Sequence, residues 1–425
     1  SAADDWVQFR GPGARGVAEV TDLPDHWSES ENIVWKVPIA GRGWSSPIVV
    51  GDRVFLTTVT RDTGEPEDAR PGLYFGGNRE IPADAVHVWK TICLNLETGE
   101  PVWEKVLHHG KPQTPRHIKN SYASETPVSD GERVYVLFGD VGLYCLTLDG
   151  ELVWEKELPP CKTRYDWGTA ASPVIHDGRL YYVSDSEDAS YLAALNAQNG
   201  EPIWRVDRDE KSNWSTPFIW QNDLRTEIIT PGTGRVRSYD LDGNQLYELA
   251  GCSSITIATP YSAHGLLYVS SGYVRDKQRP IFAIRPGATG DISLDEGETS
   301  NEFIAWCQPQ GAPYNPSTLV YGDQLYVLYD QGLMASFDAK TGDVIYNKER
   351  VPDGRAFTSS PWAYGGKIFC QNEFGSTTVL EAGREFKPLH VNKLESEELC
   401  MATPAMAGNR LILRTGDAVY CIGQK

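Results

Sequence analysis

The chain contains no long apolar run, and a membrane-spanning helix needs about 20 predominantly apolar residues. A transmembrane segment is therefore not expected. Positive charge is also short, with 39 Lys and Arg against 58 Asp and Glu and a net charge of −19. Nucleic-acid binding demands basic patches that neutralise phosphate, so no nucleic-acid partner is expected, and anionic membrane surfaces are disfavoured. There are eight cysteines but no Cys-x-x-Cys and no adjacent pair. Without a close pair nothing anchors a thiolate metal site. No charged–apolar–small export signal is visible, and Ser1-Ala2-Ala3-Asp4 reads either as a mature start or as a cloning remnant.

What the chain does have is turn residues and tryptophan: 40 Gly, 27 Pro and 13 Trp. They are arranged in a repeat. Two small residues and Pro precede an apolar pair, a Gly-Asp turn and a β-branched run, as in Ser45-Ser46-Pro47-Ile48-Val49-Val50-Gly51-Asp52-Arg53-Val54-Phe55-Leu56. The Pro position recurs at 127, 173, 217, 260, 361 and 404, with Thr318 replacing Pro in one copy, so the spacings are 80, 46, 44, 43, 58, 43 and 43 residues. A period in the low forties built of short β segments indicates a propeller with one four-stranded blade per repeat. Gly-Asp and Asp-Gly between apolar runs mark tight hairpins. A second turn, as in Leu96-Glu97-Thr98-Gly99-Glu100-Pro101-Val102-Trp103, ends on an aromatic that recurs as Trp154, Trp204, Tyr247, Trp306 and Tyr346. These rings read as plates packing blade on blade.

Eight copies predict an all-β fold, an eight-bladed β-propeller of four-stranded antiparallel blades. The last copy, ending Ala418-Val419-Tyr420-Cys421-Ile422, lacks a fourth strand, and Asn32-Ile33-Val34-Trp35-Lys36-Val37 is a spare one. Residues 32–37 are therefore expected to complete the last blade and close the ring, which also removes an unpaired edge. Two segments follow: 32–425 as the propeller and 1–31, with Trp6, Phe9 and Trp27, as an extension packed on its outside.

Cys93, Cys145 and Cys421 fall in third strands and read as small core residues. Cys161, Cys252, Cys307 and Cys400 are placed between blades, where a disulfide such as Cys252–Cys307 stays open.

Tight first–second and third–fourth turns share one face of such a ring, and the remaining loops share the other. The long segments fall mostly on the second face: 61–90 within blade one, the connections 104–123, 156–170 and 347–357, and the loop 270–280. The 286–304 insertion belongs to the opposite face. Long loops on a rigid scaffold are where binding sits. Candidate ligand-binding residues at this mouth of the central channel are Trp44, Tyr122, Glu125, Arg164, Trp167, Asn213, Trp214, Tyr314, Asn315 and Arg355. Aromatic plates with a few polar groups suit a cyclic ligand, a sugar ring or a peptide side chain; filling of a wide channel is the alternative reading. Pro71-Gly72-Leu73-Tyr74-Phe75-Gly76-Gly77-Asn78 has the glycines and aromatics of a lid.

The repeat, with its Leu-Asn-x-x-Thr-Gly-Glu-x-x-Trp continuation, resembles the PQQ-type propeller repeat over about residues 32–422. Quinoprotein alcohol dehydrogenases and the outer-membrane assembly scaffold BamB share that repeat. The opening Asp5-Trp6-Val7-Gln8-Phe9-Arg10-Gly11-Pro12, with Trp27-Ser28-Glu29 and Ile33-Val34-Trp35-Lys36, is similar to PQQ-like propeller proteins of planctomycete bacteria, which are generally exported.

The resemblance implies two classes of function. An enzyme of the quinoprotein kind would hold PQQ over a Trp floor such as Trp44, Trp167 or Trp214. Glu125 with Asn213 or Asn315 would bind calcium, and two adjacent cysteines, absent here, would lie above the cofactor. Another propeller enzyme, a polysaccharide lyase or hydrolase, needs a proton-transfer pair from His117, Tyr122, Arg164, Tyr165 and His264. The constellation for PQQ with calcium is incomplete, so no cofactor, no metal and no catalytic residue is assigned. The expectation is a non-catalytic binding or scaffold protein of the cell envelope, exported or periplasmic. It is expected to be monomeric and to recognise a protein or glycan partner at the channel mouth.

Overall fold

Short β-branched and aromatic runs cut by Gly-Asp turns satisfy their backbone groups most economically by pairing with the next run along the chain. The computed structural model describes residues 5–19, 22–64, 80–396 and 398–424, and in it this pairing produces eight four-stranded antiparallel blades. Blade one is Ile48–Val50, Arg53–Arg61, His87–Asn95 and Pro101–Gly110. Blades two to seven begin with the inner strands Val128–Ser129, Val174–His176, Phe218–Gln221, Tyr261–Ala263, Leu319–Tyr321 and Trp362–Tyr364. Blade eight is Ala405–Ala407, Arg410–Arg414 and Ala418–Ile422, with Ile33–Pro38 antiparallel at its outer edge. There Trp35 lies opposite Cys421 and Val37 opposite Val419.

Blade packing follows from the recurrent aromatic. The Trp35 indole donates to the Leu96 carbonyl of blade one at 2.8 Å. Trp103, Trp154, Trp204 and Trp306 do the same to Leu148, Ala197, Leu241 and Ala339, each in the next sheet round. The ring then lies on the turn glycine. Gly99 has φ +73, and a Cβ there would come within 2.5 Å of the Trp35 ring. Gly150, Gly200 and Gly342 stand in the same relation to Trp103, Trp154 and Trp306. The Thr-Gly-Glu-x-x-Trp pattern is thus one device: Trp is the plate and Gly is the seat for the plate from the preceding blade.

Blade five departs from this pattern. Its third and fourth strands are separated by the 286–304 insertion. Part of that insertion, Gly290–Asp291, pairs in parallel with Gln245–Ala250 and makes blade four five-stranded. Blade four carries Tyr247 in place of Trp, and the ring is buried in one cluster with Ala288 and Ile292 of the insertion. Added chain takes over the docking that the smaller aromatic leaves undone.

Several boundaries differ from the sequence reading. The outer strand of blade one runs to Gly110, so the connection starts there and not at Glu104. Its second and third strands are nine residues each, which confines the insertion to 62–86. Glu80–Ile81 pairs with Arg116–His117, tying that insertion to the blade-one connection. The lid candidate 71–78 lies outside the described residues. Cys307 falls within the strand Ile304–Gln308 and not in a connection. All eight cysteines are buried free thiols, so the candidate disulfide pairs are not formed. Burial pushes the Cys252 and Cys307 thiols up to about 12.

Residues 5–18 do not pack on the outside. Trp6 exchanges backbone hydrogen bonds with Val49 of blade one at 2.9 and 2.8 Å, and Val7 accepts from Ser129 of blade two at 2.9 Å. Arg10 donates to the Thr318 carbonyl of blade six at 2.8 Å and lies 5.2 Å over the Tyr261 ring of blade five. Gly16 and Ala18 bracket Ala363 of blade seven at 3.0 and 3.1 Å. Anchors on opposite sides of the ring mean that this segment crosses the channel at its tight-turn end, with Trp6 and Arg10 buried. The chain then packs against blade seven, where Trp27 stacks on Phe369 at 5.9 Å, before it enters blade eight.

Candidate ligand-binding cavity

Each inner strand is preceded by Ser or Thr and, in seven blades, by Pro after it. Pro pushes the preceding residue into extended backbone, which frees that residue's N–H to point sideways along the ring. Six of these amides donate to the hydroxyl at the same place in the next blade. Ser46 donates to Thr126 (3.0 Å), Thr126 to Ser172 (2.8 Å) and Ser172 to Thr216 (3.0 Å). Thr259 donates to Ser317 (3.0 Å), Ser317 to Ser360 (2.9 Å) and Ser360 to Thr403 (3.0 Å). The circle breaks between Thr216 and Thr259, where Ser215 donates to Ala258 instead at 2.7 Å. It breaks again between Thr403 and Ser46, whose hydroxyl has no partner. All eight side chains line one cavity of about 300 Å³ at the channel axis.

Above this hydroxyl ring, toward the loop-rich face, the cavity is walled by Trp44, Trp167, Trp214, Tyr314 and Asn315; Phe9 of the crossing segment also lines it. Trp167 and Trp214 are 5.7 Å apart, Tyr165 is 5.1 Å from Trp167, and His117 meets Trp167 edge-on at 5.8 Å. Exposure falls inward along this series, from 44% at Tyr165 to 7% at Trp214. Tyr165 and Asp166 adopt φ +56 and +53, a conformation that costs a non-glycine residue roughly 1–3 kcal/mol.

Two polar devices hold the mouth. Lys119, in the connection from blade one to blade two, pairs with buried Glu373 of blade seven at 2.5 Å, and Trp44 donates its indole to the Lys119 carbonyl at 2.8 Å. That connection is therefore strapped over the mouth. The second device is an acid within two residues of the end of the second strand. Asp140 accepts from the amides of Gln113 and Thr114, Asp185 from the Arg208 guanidinium and Asn213, and Asp330 from the Tyr314 and Asn315 amides. Burial raises the Asp330 carboxyl to about 6 in spite of those bonds. Sequence reasoning missed these acids. The signal was their constant place, in Phe138-Gly139-Asp140, Val183-Ser184-Asp185 and Leu328-Tyr329-Asp330.

The structure brings Trp44, Trp167, Trp214, Tyr314 and Asn315 together around the cavity. The other candidates lie elsewhere. Tyr122 is buried between blades one and two and donates to the Thr114 carbonyl at 3.1 Å. Glu125 and Asn213 line a separate void of about 20 Å³ between blades two and three. There Glu125 accepts from the Thr169 hydroxyl and, at 3.0 Å, from the Gly139 amide, and burial raises its carboxyl to about 7. Arg164 lies against Tyr165 at the rim, and Arg355 is exposed. His264 is in the tight turn of blade five, on the opposite face from the other proton-transfer candidates.

These positions do not fit PQQ with calcium. Glu125 and Asn213 line a void outside the cavity, apart from Asn315 on the cavity wall, so the proposed calcium ligands do not converge. Among the described residues no three His, Cys, Asp or Glu side chains converge to hold a metal ion.

Comparison with known proteins agrees with the repeat. Residues 88–250 match a family model described as outer membrane protein assembly factor BamB. Over that stretch the repeats resemble the PQQ/BamB type. A protein of that name from Burkholderia pseudomallei is 25% identical over 206 residues, 44% of this chain and 50% of its own length. Another, from Alkalilimnicola ehrlichii, is 26% identical over 225 residues, 48% of this chain and 45% of its own length. The chain thus spans about half the length of the curated relatives it matches. Among solved structures, BamB from Moraxella catarrhalis superposes with a TM-score of 0.60 at 12% identity, over 92% of this chain and 99% of that one. Quinohemoprotein alcohol dehydrogenase from Comamonas testosteroni superposes with a TM-score of 0.61 at 10% identity, over 99% and 81%. At such identities these likenesses establish the fold alone. No helix among the described residues is long and apolar enough to cross a membrane.

Proposed function

We propose that the protein is a non-catalytic binding module of the cell envelope that takes a protein or glycan partner at the loop-rich mouth of its channel. The observation that carries this reading is the one-ended cavity. Residues 5–18 cross the tight-turn end, while the aromatics, the Lys119–Glu373 strap and the long connections are gathered at the other. A rigid ring with one elaborated end is a platform for recognition. The proton-transfer candidates are spread over the cavity wall (His117), a blade interface (Tyr122) and the opposite face (His264). That spread supports binding over catalysis, because general acid–base chemistry needs such groups within reach of one substrate atom. The misfit to PQQ with calcium supports a module that works without either. The two curated relatives carry the name assembly factor, which favours a scaffold role. The resemblance of the opening motif to that of exported planctomycete propellers favours a periplasmic or exported location, and a monomer is the expected state.

The test is a double variant, Trp214→Ala with Tyr314→Ala, compared with the parent on a glycan array and in pull-downs from cell-envelope extract. Partners retained by the parent and lost by the folded variant support the mouth as the working end. Partners that survive the double variant but vanish when the 286–304 insertion is altered place the binding surface on the opposite face.

A further inference from the structure

Building on the reading that the open mouth binds a ligand, we infer that this ligand is the end of a neutral oligosaccharide. One sugar ring sits within the hydroxyl ring, and the next stacks on Tyr165 and Trp167 at the rim.

The hydroxyl ring decides the chemistry. Six of its oxygens have accepted an amide N–H from the preceding blade, and among the described residues none of the six donates to a protein acceptor. Each of those six hydroxyls keeps its O–H donor and one lone pair. A ligand that displaces water from them has to supply oxygen acceptors around its perimeter. An apolar peptide side chain would leave those hydroxyls desolvated and unpaired, which opposes binding. A sugar ring carries oxygens on most of its carbons.

Charge argues for a neutral sugar. Lys119, the basic side chain lining the cavity, is held by Glu373. Arg10 lies buried in the crossing segment against Tyr261 and Thr318. Asp330 is the acid on the cavity wall, and the chain carries a net charge of −19. An acidic group on the inner sugar would meet Asp330 and, among the described residues lining the cavity, no Lys or Arg other than the Glu373-held Lys119; Arg164 lies outside at the rim, against Tyr165.

Shape and strain complete the picture. The cavity of about 300 Å³ is at the small end of ligand sites, which span roughly 300–1,000 Å³. It admits a sugar unit and excludes a folded protein surface. Tyr165 stands 44% exposed on a turn with two consecutive left-handed non-glycine residues. Such strain, kept at an exposed aromatic that gains little from packing, marks a functional position. Its ring continues the Trp167–Trp214 wall outward, giving stacking surfaces at two successive depths.

The experiment is titration of the full chain, by intrinsic tryptophan fluorescence and calorimetry, with neutral glucan, mannan and chitin oligomers of one to four units. Oligogalacturonides and sialyllactose serve as acidic counterparts. Binding of at least one neutral series is expected, tightening from one unit to three. Tyr165→Ala, an exposed substitution, is expected to weaken the three-unit ligand at least fivefold more than the one-unit ligand. Trp214→Ala with Tyr314→Ala is expected to abolish both. If acidic glycans or envelope proteins bind and are lost in the double variant while no neutral series binds, the neutral-sugar assignment is overturned and the mouth remains the working end. If neutral sugars bind but neither variant changes their affinity, the assignment to this cavity is overturned. If no glycan binds and captured proteins survive the double variant, both readings fall.

Discussion

Glu125 shows how burial converts a polar residue into a pH sensor of stability. Its side chain is 2% exposed and accepts from Thr169 and Gly139, and burial still raises its carboxyl to about 7. An unfolded Glu titrates near about 4.3, so the folded chain holds this proton more tightly. Stability from this group is therefore fully present below the unfolded value and is lost as pH rises through about 7. Glu125→Gln should match the parent near pH 4.5 and exceed it at pH 8 by on the order of 1–3 kcal/mol. Thermal unfolding at the two pH values checks this, and a variant less stable than the parent at pH 8 contradicts it. Glycine offers a second residue-level test. Gly342→Ala would set a Cβ 2.6 Å from the Trp306 ring at φ +77, whereas Gly51 at φ +58 has no atom within 4 Å of that position. Gly342→Ala should cost about 1–3 kcal/mol more than Gly51→Ala in denaturant unfolding, through steric crowding. Equal costs would mean that the Trp–Gly seat adds nothing beyond backbone strain. The Trp–Gly pairing was open to sequence reading because both members recur at fixed offsets. The hydroxyl ring was not. Its Ser and Thr were visible only as small residues before Pro, since each hydrogen bond joins residues one repeat apart or more and exists only once the blades stand side by side.

Among the elements, the strand Ile33–Pro38 and the crossing segment 5–18 carry the most testable weight. Trp35 is buried at 8% exposure and donates to Leu96. Trp35→Ala should cost roughly 3–5 kcal/mol, the range for a buried Trp truncation. Deleting residues 1–38 should lower the melting temperature further by exposing the edge of Ala418–Ile422. A truncated chain that melts with the parent contradicts the account of blade eight. The repeat, the blade count and the identity of each outer strand were legible in the sequence because period and turn chemistry are local. The path of residues 5–18 was not legible. It lies outside the repeat, and Trp6 and Phe9 announce burial without naming the surface that buries them. Blade one illustrates the same limit. Its nine-residue strands extend into what reads as loop, because Arg61 and His87 pair across a stretch with no alternating pattern.

At the scale of the whole molecule, five of the ten proposed binding residues converge on the cavity, because position relative to the inner-strand Pro predicts proximity to the axis. Tyr122, Glu125 and Asn213 share that sequence position and yet turn into the interfaces between blades. Side-chain direction at a strand start depends on the neighbouring blade. The central claim is that partners engage the loop-rich mouth and not the tight-turn end sealed by residues 5–18. It is tested most directly by site-specific photo-crosslinking in cell-envelope extract, with the reactive group placed in turn at Tyr165 on the mouth and at His264 in the tight turn of blade five. The account predicts adducts from position 165 and none above background from position 264. Adducts from 264 with none from 165 would contradict it.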